Sequence, residues 1–391
     1  KVAQSLMKNA RRQLVWPLFL CFVFFLCLPF ARAAAAEPVV SAQAAILIDA
    51  STGRVVWEKN ADVQHYPASM TKIMTCLLAL HALQMHDLVP ISAAAANTES
   101  VPLGLQAGEQ LEADELIHGM MMESDNGAAV ALAEKVSGSV PAFAQRMNDQ
   151  AEKLGMTHTH FNNPNGLTDH NHYSTARDMA KLARYAMEQR NFRNIVCQPQ
   201  MLVKWSKPKV KFMVAQNTNK MLKSYEGMTG IKTGWTQAAG GCLAASAKRN
   251  GLELIAVVMQ CPTPDQRFAD AKTLLDYGFA HVRMVRGMTQ GELTRKAWVS
   301  GASRATTMVR PASDVNYPLI DNESEQHYKV TYDLPKVLTG PLKDGEVVGH
   351  LRITYDDEPV GNIDLRADGV APGTSLSGWL VGLFAPLLEK L

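Results

Sequence analysis

Apolar positions fall in several distinct textures along this chain. The run from Ala44 to Val56, AAILIDASTGRVV, sets an apolar stretch, a Ser-Thr-Gly turn and a second apolar stretch in a row, which predicts an opening β-hairpin. After Pro67, the stretch from Met70 to Met85 is rich in Met, Leu and Ala and holds no Gly or Pro. It predicts a buried helix. A second helical region is expected from Ala113 through Ser137, interrupted by Ser124-Asp125-Asn126-Gly127, four residue types that favour turns over helix interiors. Asn162-Asn163-Pro164-Asn165-Gly166 reads as a loop, Thr175 to Met187 as a helix opened by a Ser/Thr cap, and Gly240 to Val258 as two strands about Asn250-Gly251. Gly227-Met228-Thr229-Gly230 is turn-like, with strand-like residues after it. Helices and strands mix without strict alternation.

From about Val282 the texture changes to β-branched segments such as Lys329-Val330-Thr331-Tyr332 and His350 to Tyr355, divided by Gly, Pro and Asp. A smaller β-rich domain is expected there. The last segment sets Leu376, Trp379, Leu380, Leu383, Phe384, Leu387, Leu388 and Leu391 on one face at helical spacing, with Pro386 against a perfect helix. It is too short to span a bilayer, and two readings stand: a helix lying on a membrane surface, or one docked on the β-rich domain. At 391 residues, two folded units are the natural expectation.

The first 36 residues stand apart. Lys8, Arg11 and Arg12 precede an apolar run from Leu14 to Phe30, and Ala31-Arg32-Ala33 and Ala34-Ala35-Ala36 offer cleavage sites after Ala33 or Ala36. This reads as a secretory signal peptide, with a retained anchor as the alternative; export follows from both. Met7 is a candidate start residue. The whole chain holds 39 basic and 37 acidic side chains, but five of the basic ones sit in this leader with no acid. The near-neutral remainder gives no electrostatic reason to expect a nucleic acid partner. Outside the leader, which holds Cys21 and Cys27, Cys76, Cys197, Cys242 and Cys261 show no metal-ligand spacing. Cys242 and Cys261 flank the Asn250-Gly251 turn and could pair across it or remain two buried thiols.

Three short motifs carry candidate chemistry. In Ser69-Met70-Thr71-Lys72 a hydroxyl and an amine lie one helical turn apart, so both can share one face. A serine hydroxyl is a weak nucleophile, and a desolvated Lys near a second cation, for which Lys232 is the candidate, can take its proton. The same spacing at Ser5…Lys8 and Ser206…Lys209 has bland explanations in the leader and a Lys-rich stretch. Ser124-Asp125-Asn126 adds a hydroxyl for proton relay and an amide for a substrate carbonyl or N–H. Lys232-Thr233-Gly234 adds an amine and hydroxyl able to grip a carboxylate, beside a Gly that permits close backbone approach. Each motif alone is weak; together, in this order and at element boundaries, they form a known catalytic trio.

With that trio the chain resembles the low-molecular-mass penicillin-binding proteins, the serine-type D-Ala-D-Ala carboxypeptidases. The likeness extends through Pro67 to Lys72, Asn163-Pro164-Asn165-Gly166-Leu167, Ser174 to Ala180, and Asn217-Thr218-Asn219-Lys220 ahead of Gly230 to Gly234. It implies an α/β (α+β) domain of the serine β-lactamase/transpeptidase type over residues 37–281, a C-terminal β-sandwich domain over 282–371, and an amphipathic membrane-surface helix over 372–391. It further implies that Ser69 attacks the D-Ala-D-Ala carbonyl of a peptidoglycan stem peptide, with Lys72 as base and Ser124 as proton relay. Asn126, Lys232, Thr233, Gly234, Trp235 and Arg267 would bind substrate, and the N–H groups of Ser69 and Trp235 would form the oxyanion hole. Arg267 has a surface ion pair as its alternative. Many relatives carry His where this chain has Trp235. β-Lactam antibiotics would be covalent inhibitors, the location would be the outer face of the cytoplasmic membrane or the periplasm, and no metal or organic cofactor is implied.

Competing readings are also legible. A class A β-lactamase would add a loop Glu for deacylation, and no Glu-x-x-Leu-Asn run lies between the second and third motifs. A cross-link endopeptidase and a wall-binding module without chemistry complete the alternatives. His158, His160, His170 and His172 cluster around the 163–167 loop without metal-site spacing and read as solvated loop histidines. Asp169, in the same loop, is a candidate for positioning a deacylating water.

Overall fold

The computed structural model describes residues 37–373 and 375–388. The signal-peptide reading of residues 1–36 and the position of Leu391 lie outside the described residues, as do the side chains of Leu387 and Leu388.

Five strands, β1 (Ala44–Asp49), β2 (Val55–Lys59), β3 (Met228–Thr236), β4 (Gly240–Arg249) and β5 (Leu252–Cys261), form an antiparallel sheet in the order β2-β1-β5-β4-β3. Every residue of β1 is buried, because both faces of the sheet are covered. Ala44, Ile46 and Ile48 enter one apolar core, while Ala45 and Leu47 enter another. β5 divides in the same way, with Ile255, Val257 and Met259 on the first side and Leu254, Ala256 and Val258 on the second. The two-residue period of a strand thus feeds two cores, and each buried Leu, Ile or Val contributes about 1.5–3 kcal/mol.

The first core holds most of the helices: α1 (Lys72–Ala82), α2 (Ala113–Met122), α3 (Asn126–Ser137), α4 (Val140–Lys153) and α5 (Ala176–Glu188). On the other face α6 (Gln266–His281) packs against β4 and β5. The buried helix after Pro67 forms as a 3-10 turn at Ala68–Thr71 that runs straight into α1. Ile73, Met74, Cys76, Leu77 and Ala79 are all buried in α1, so its N-terminal Lys72 is carried into the interior.

Two expectations change in detail. The helix interruption covers only Glu123 to Asp125; Asn126 and Gly127 open α3, because the Asp125 carboxylate caps that helix by accepting from Ala128 N–H. The Gly227–Gly230 segment is mostly strand: β3 begins at Met228, and the turn-like residues mark a register shift against β4 between Met228 and Gly230. Gly230 has φ 148°, and a Cβ there would lie 2.7 Å from Val196 Cγ2, so glycine suits the bulge.

The C-terminal domain contains β6 (Arg295–Ser300), β7 (Thr306–Pro311), β8 (Tyr328–Asp333), β9 (Val337–Thr339), β10 (Glu346–Tyr355) and β11 (Glu358–Ala367) in the order β8-β10-β11-β7-β6-β9. A ladder of Val282–Arg286 with Asn316–Ile320 shares the same apolar core, through Leu319 on the ladder and Val299, Leu351 and Leu365 on the sheet. Arg54, at the end of the first hairpin, reaches this domain. It pairs with Glu323, donates to Tyr328 Oη at 2.9 Å and lies over the Tyr355 ring at 4.2 Å.

The terminal helix α7 (Leu376–Leu388) packs on β6 and β9. Gly378 comes so close that a Cβ would meet Ala302 O at 2.5 Å, and Val381 is buried. Leu376, Trp379, Leu380, Leu383 and Phe384 point the other way and are exposed. The helix is therefore docked through its small-residue side and presents an apolar side outward. No described helix is long and apolar enough to cross a membrane. Cys76, Cys242 and Cys261 are buried free thiols and Cys197 is an exposed one. The Cys242–Cys261 pair is not formed: Cys261 Sγ donates to Asp270 and Cys242 Sγ to Ala239 O.

Candidate active site

The three motifs meet in one cleft of about 510 Å³, lined among others by Ser69, Ser124, Asn126, Thr233, Gly234 and Arg267. Ser69 sits on the 3-10 turn, Ser124 in the gap between α2 and α3, and Thr233 and Gly234 on edge strand β3. Three non-glycine residues in the left-handed region mark the approach: Ala68 (φ 47°), just before Ser69, Ser100 (φ 59°) and Ser124 (φ 62°). Such backbone strain, of order 1–3 kcal/mol per residue, persists only where the surroundings over-determine it.

Lys72 Nζ is 2.8 Å from Ser69 Oγ, 2.7 Å from Asn126 Oδ1 and 2.7 Å from the Asn165 carbonyl. The Asn126 amide nitrogen donates to Glu99 O at 2.7 Å, which leaves its oxygen as the acceptor facing Lys72. A neutral amine has two N–H donors and one lone pair. With two obligate acceptors beside it, the lone pair of neutral Lys72 is left for the Ser69 hydroxyl. Lys72 is 0% exposed, and burial pushes its pKa down to about 7, with Asp125 acting in the opposite direction.

Lys232 is 1% exposed, and its amine donates to Thr233 O at 3.1 Å. Burial holds it well below the ordinary lysine range, and the charges of Lys72 and Arg267 add to that. Burial is the first cause of the lowering at Lys72, and Lys232 is a buried cation coupled to it. Thr233 Oγ1 is 2.7 Å from Thr218 Oγ1, and Arg267 Nη1 donates to Gly234 O at 2.8 Å. Arg267 is thus tied to β3 rather than to a surface ion pair, and its buried Nε has no protein partner. A Cβ on Gly234 would lie 3.1 Å from Ser69 N, so the strand and the Ser69 turn touch. Trp235 is 52% exposed at the rim.

A family model described as D-alanyl-D-alanine carboxypeptidase matches residues 31–263. The chain belongs to this family. A second model, the C-terminal domain of penicillin-binding protein 5, matches residues 286–370. The D-alanyl-D-alanine carboxypeptidase DacC of Escherichia coli K12 is 34% identical over 347 residues, 85% of this chain and 82% of that one. The carboxypeptidase DacF of Bacillus subtilis is 39% identical over 244 residues, 61% of this chain and 62% of its own. Among solved structures, penicillin binding protein 5 from Haemophilus influenzae is similar with a TM-score of 0.65 at 29% identity, covering 86% of this chain and 99% of that chain. The carboxypeptidase family is one of serine hydrolases, and the expected two-domain fold agrees with these neighbours.

Within this carboxypeptidase, sequence reasoning missed the groups that aim the named ones. Asp125 was only the middle of a triplet, yet its carboxylate is buried and also accepts from Leu103 N–H at 2.9 Å. The Asn165 carbonyl, a backbone atom, leaves no trace in residue identity. His172 is 1% exposed, which corrects the reading of a solvated loop histidine; its ring is held between Thr71 and Asn162. Asp169 is not among the residues lining the cleft and instead accepts from Asn171 N–H. Among the described residues no group of His, Cys, Asp and Glu gathers as metal ligands.

Proposed function

We propose that this chain removes the terminal D-Ala from peptidoglycan stem peptides through a covalent Ser69 acyl-enzyme, and that penicillins acylate the same serine. The observation that carries this reading is the 2.8 Å contact of Lys72 Nζ with Ser69 Oγ, with the other two neighbours of the amine both acceptors.

In the proposed reaction, Lys72 takes the hydroxyl proton as Ser69 Oγ bonds to the carbonyl carbon of the penultimate D-Ala. The oxyanion forms against the N–H groups of Ser69 and Trp235. Collapse breaks the C–N bond, and the departing amine takes a proton passed by Ser124 from Lys72. Water then attacks the ester with Lys72 as base again, releasing the shortened peptide and restoring Ser69. Asn126 binds the substrate backbone, Lys232, Thr233 and Arg267 receive the terminal carboxylate, and Gly234 lets the peptide approach β3. Trp235 covers the rim with an indole. The outward apolar side of α7 supports attachment to a membrane surface, and with the expected leader it favours the outer face of the cytoplasmic membrane or the periplasm.

The test is intact-protein mass measurement after benzylpenicillin, followed by D-Ala release from diacetyl-Lys-D-Ala-D-Ala. An adduct absent in Ser69→Ala, with D-Ala release by the wild type, is expected. Clearance of the adduct within seconds would favour a β-lactamase, and neither adduct nor release would leave a wall-binding module.

A further inference from the structure

The irregular segment from Phe161 to Tyr173 passes directly over the nucleophile helix and is fastened to it at three points. Thr71 Oγ1 is 2.8 Å from His172 Nε2, Lys72 Nζ donates to Asn165 O at 2.7 Å, and Thr75 Oγ1 donates to Pro164 O at 2.6 Å. Residues 71, 72 and 75 share one side of the helix, so the three contacts form a single seam. Only the middle one belongs to the proposed chemistry.

The hydrogen bonds of His172 define its tautomer. Asn162 N–H donates to Nδ1 at 3.0 Å, so Nδ1 carries no proton and a neutral ring has its N–H at Nε2, aimed at the Thr71 hydroxyl. Phe161 packs edge-on at 5.6 Å between ring centroids. Thr71 is 0% exposed. Both partners are thus buried and satisfied by each other, in a place where loss of one strands the other.

We propose that His172 is a positioning residue: through Thr71 it pins the loop so that the Asn165 carbonyl stays on Lys72 and the amine's lone pair stays on Ser69. This rests on the acyl-enzyme reading given above. A lysine amine on a four-carbon stem has no fixed direction of its own; two acceptors give it one. Asn126 is held by α3 and Glu99 O, whereas Asn165 sits in a segment without regular structure and depends on its fastenings. A misplacement of about 1 Å at a reacting group costs on the order of 100-fold in rate.

Thr71→Val keeps the side-chain shape and removes the hydroxyl; Thr71→Ser keeps the hydroxyl. Saturation kinetics of benzylpenicillin separate non-covalent affinity from the acylation step. For Thr71→Val the acylation step is expected to fall by about 10-fold or more, with affinity within about twofold, and Thr71→Ser is expected to stay near wild type. An acylation step unchanged in Thr71→Val overturns the proposal, as does an equal loss in Thr71→Ser. Should Thr71→Val fail to fold, Thr75→Val loosens the same loop through Pro164, and a slower acylation step supports the proposal while an unchanged one overturns it. Wild-type protein that is never acylated would instead overturn the acyl-enzyme reading itself.

Discussion

The carbonyl of Ala68 fills the place where Gly166 would carry a side chain: a Cβ on Gly166 would lie 1.9 Å from Ala68 O and 3.0 Å from Ser69 N. Gly166 also has φ 86°, a conformation that costs an L-residue about 1 kcal/mol or more. Gly166→Ala should therefore push the loop and the Ser69 turn apart. Penicillin acylation is expected to drop by on the order of 100-fold, and thermal unfolding to shift down, both measurable on one preparation.

The rate of acylation should follow the charge of Lys72. Burial lowers this amine to about 7, and in the proposed reaction only a free amine can take the hydroxyl proton. Acylation by benzylpenicillin should rise with pH, with a midpoint near that value, and level off above it. Asp125 favours the charged amine, so Asp125→Asn should move the midpoint to lower pH. A pH–rate profile of both proteins checks the direction.

Stability has a separate acid limb at His172. Burial lowers this ring to about 4, opposed by Asp169 and reinforced by His160 and Lys72. An unfolded histidine titrates near 6.5, so between the two values the unfolded chain binds more protons. Stability from this group is fully present above about 6.5 and is lost as pH falls toward about 4, by on the order of 3 kcal/mol. Denaturant unfolding at several pH values should show this slope, and His172→Gln should flatten it.

Arg54 ties the two domains by its ion pair with Glu323, its bond to Tyr328 and its stacking on Tyr355. Glu323 remains partly exposed, so Arg54→Ala should cost about 2 kcal/mol rather than the full amount for a buried pair. Unfolding midpoints should fall while D-Ala release from a soluble peptide by the folded protein stays at the wild-type rate. A matching loss of activity would mean that the domain junction reaches the cleft.

What residue order alone determined here was whatever depends on neighbours in the chain. Ser69 and Lys72 one turn apart, the break between α2 and α3, the Thr175 cap and the β4–β5 hairpin are all local, because helix and strand periods and turn chemistry act over a few residues. The trio of motifs marks the cleft in the sequence itself. Tertiary structure decided the rest. His172 looked like one solvated histidine among four, and only the fold buries it, against a partner 101 positions away. Asp125 became a cap and an electrostatic neighbour of Lys72, and the outward and inward sides of α7 separated only once the helix had a sheet beneath it. The Asn165 carbonyl is the sharpest case. Every residue has such an oxygen, so its meaning lies wholly in where the folded loop sets it, and low pKa at Lys72 likewise comes from the water that the surrounding core excludes.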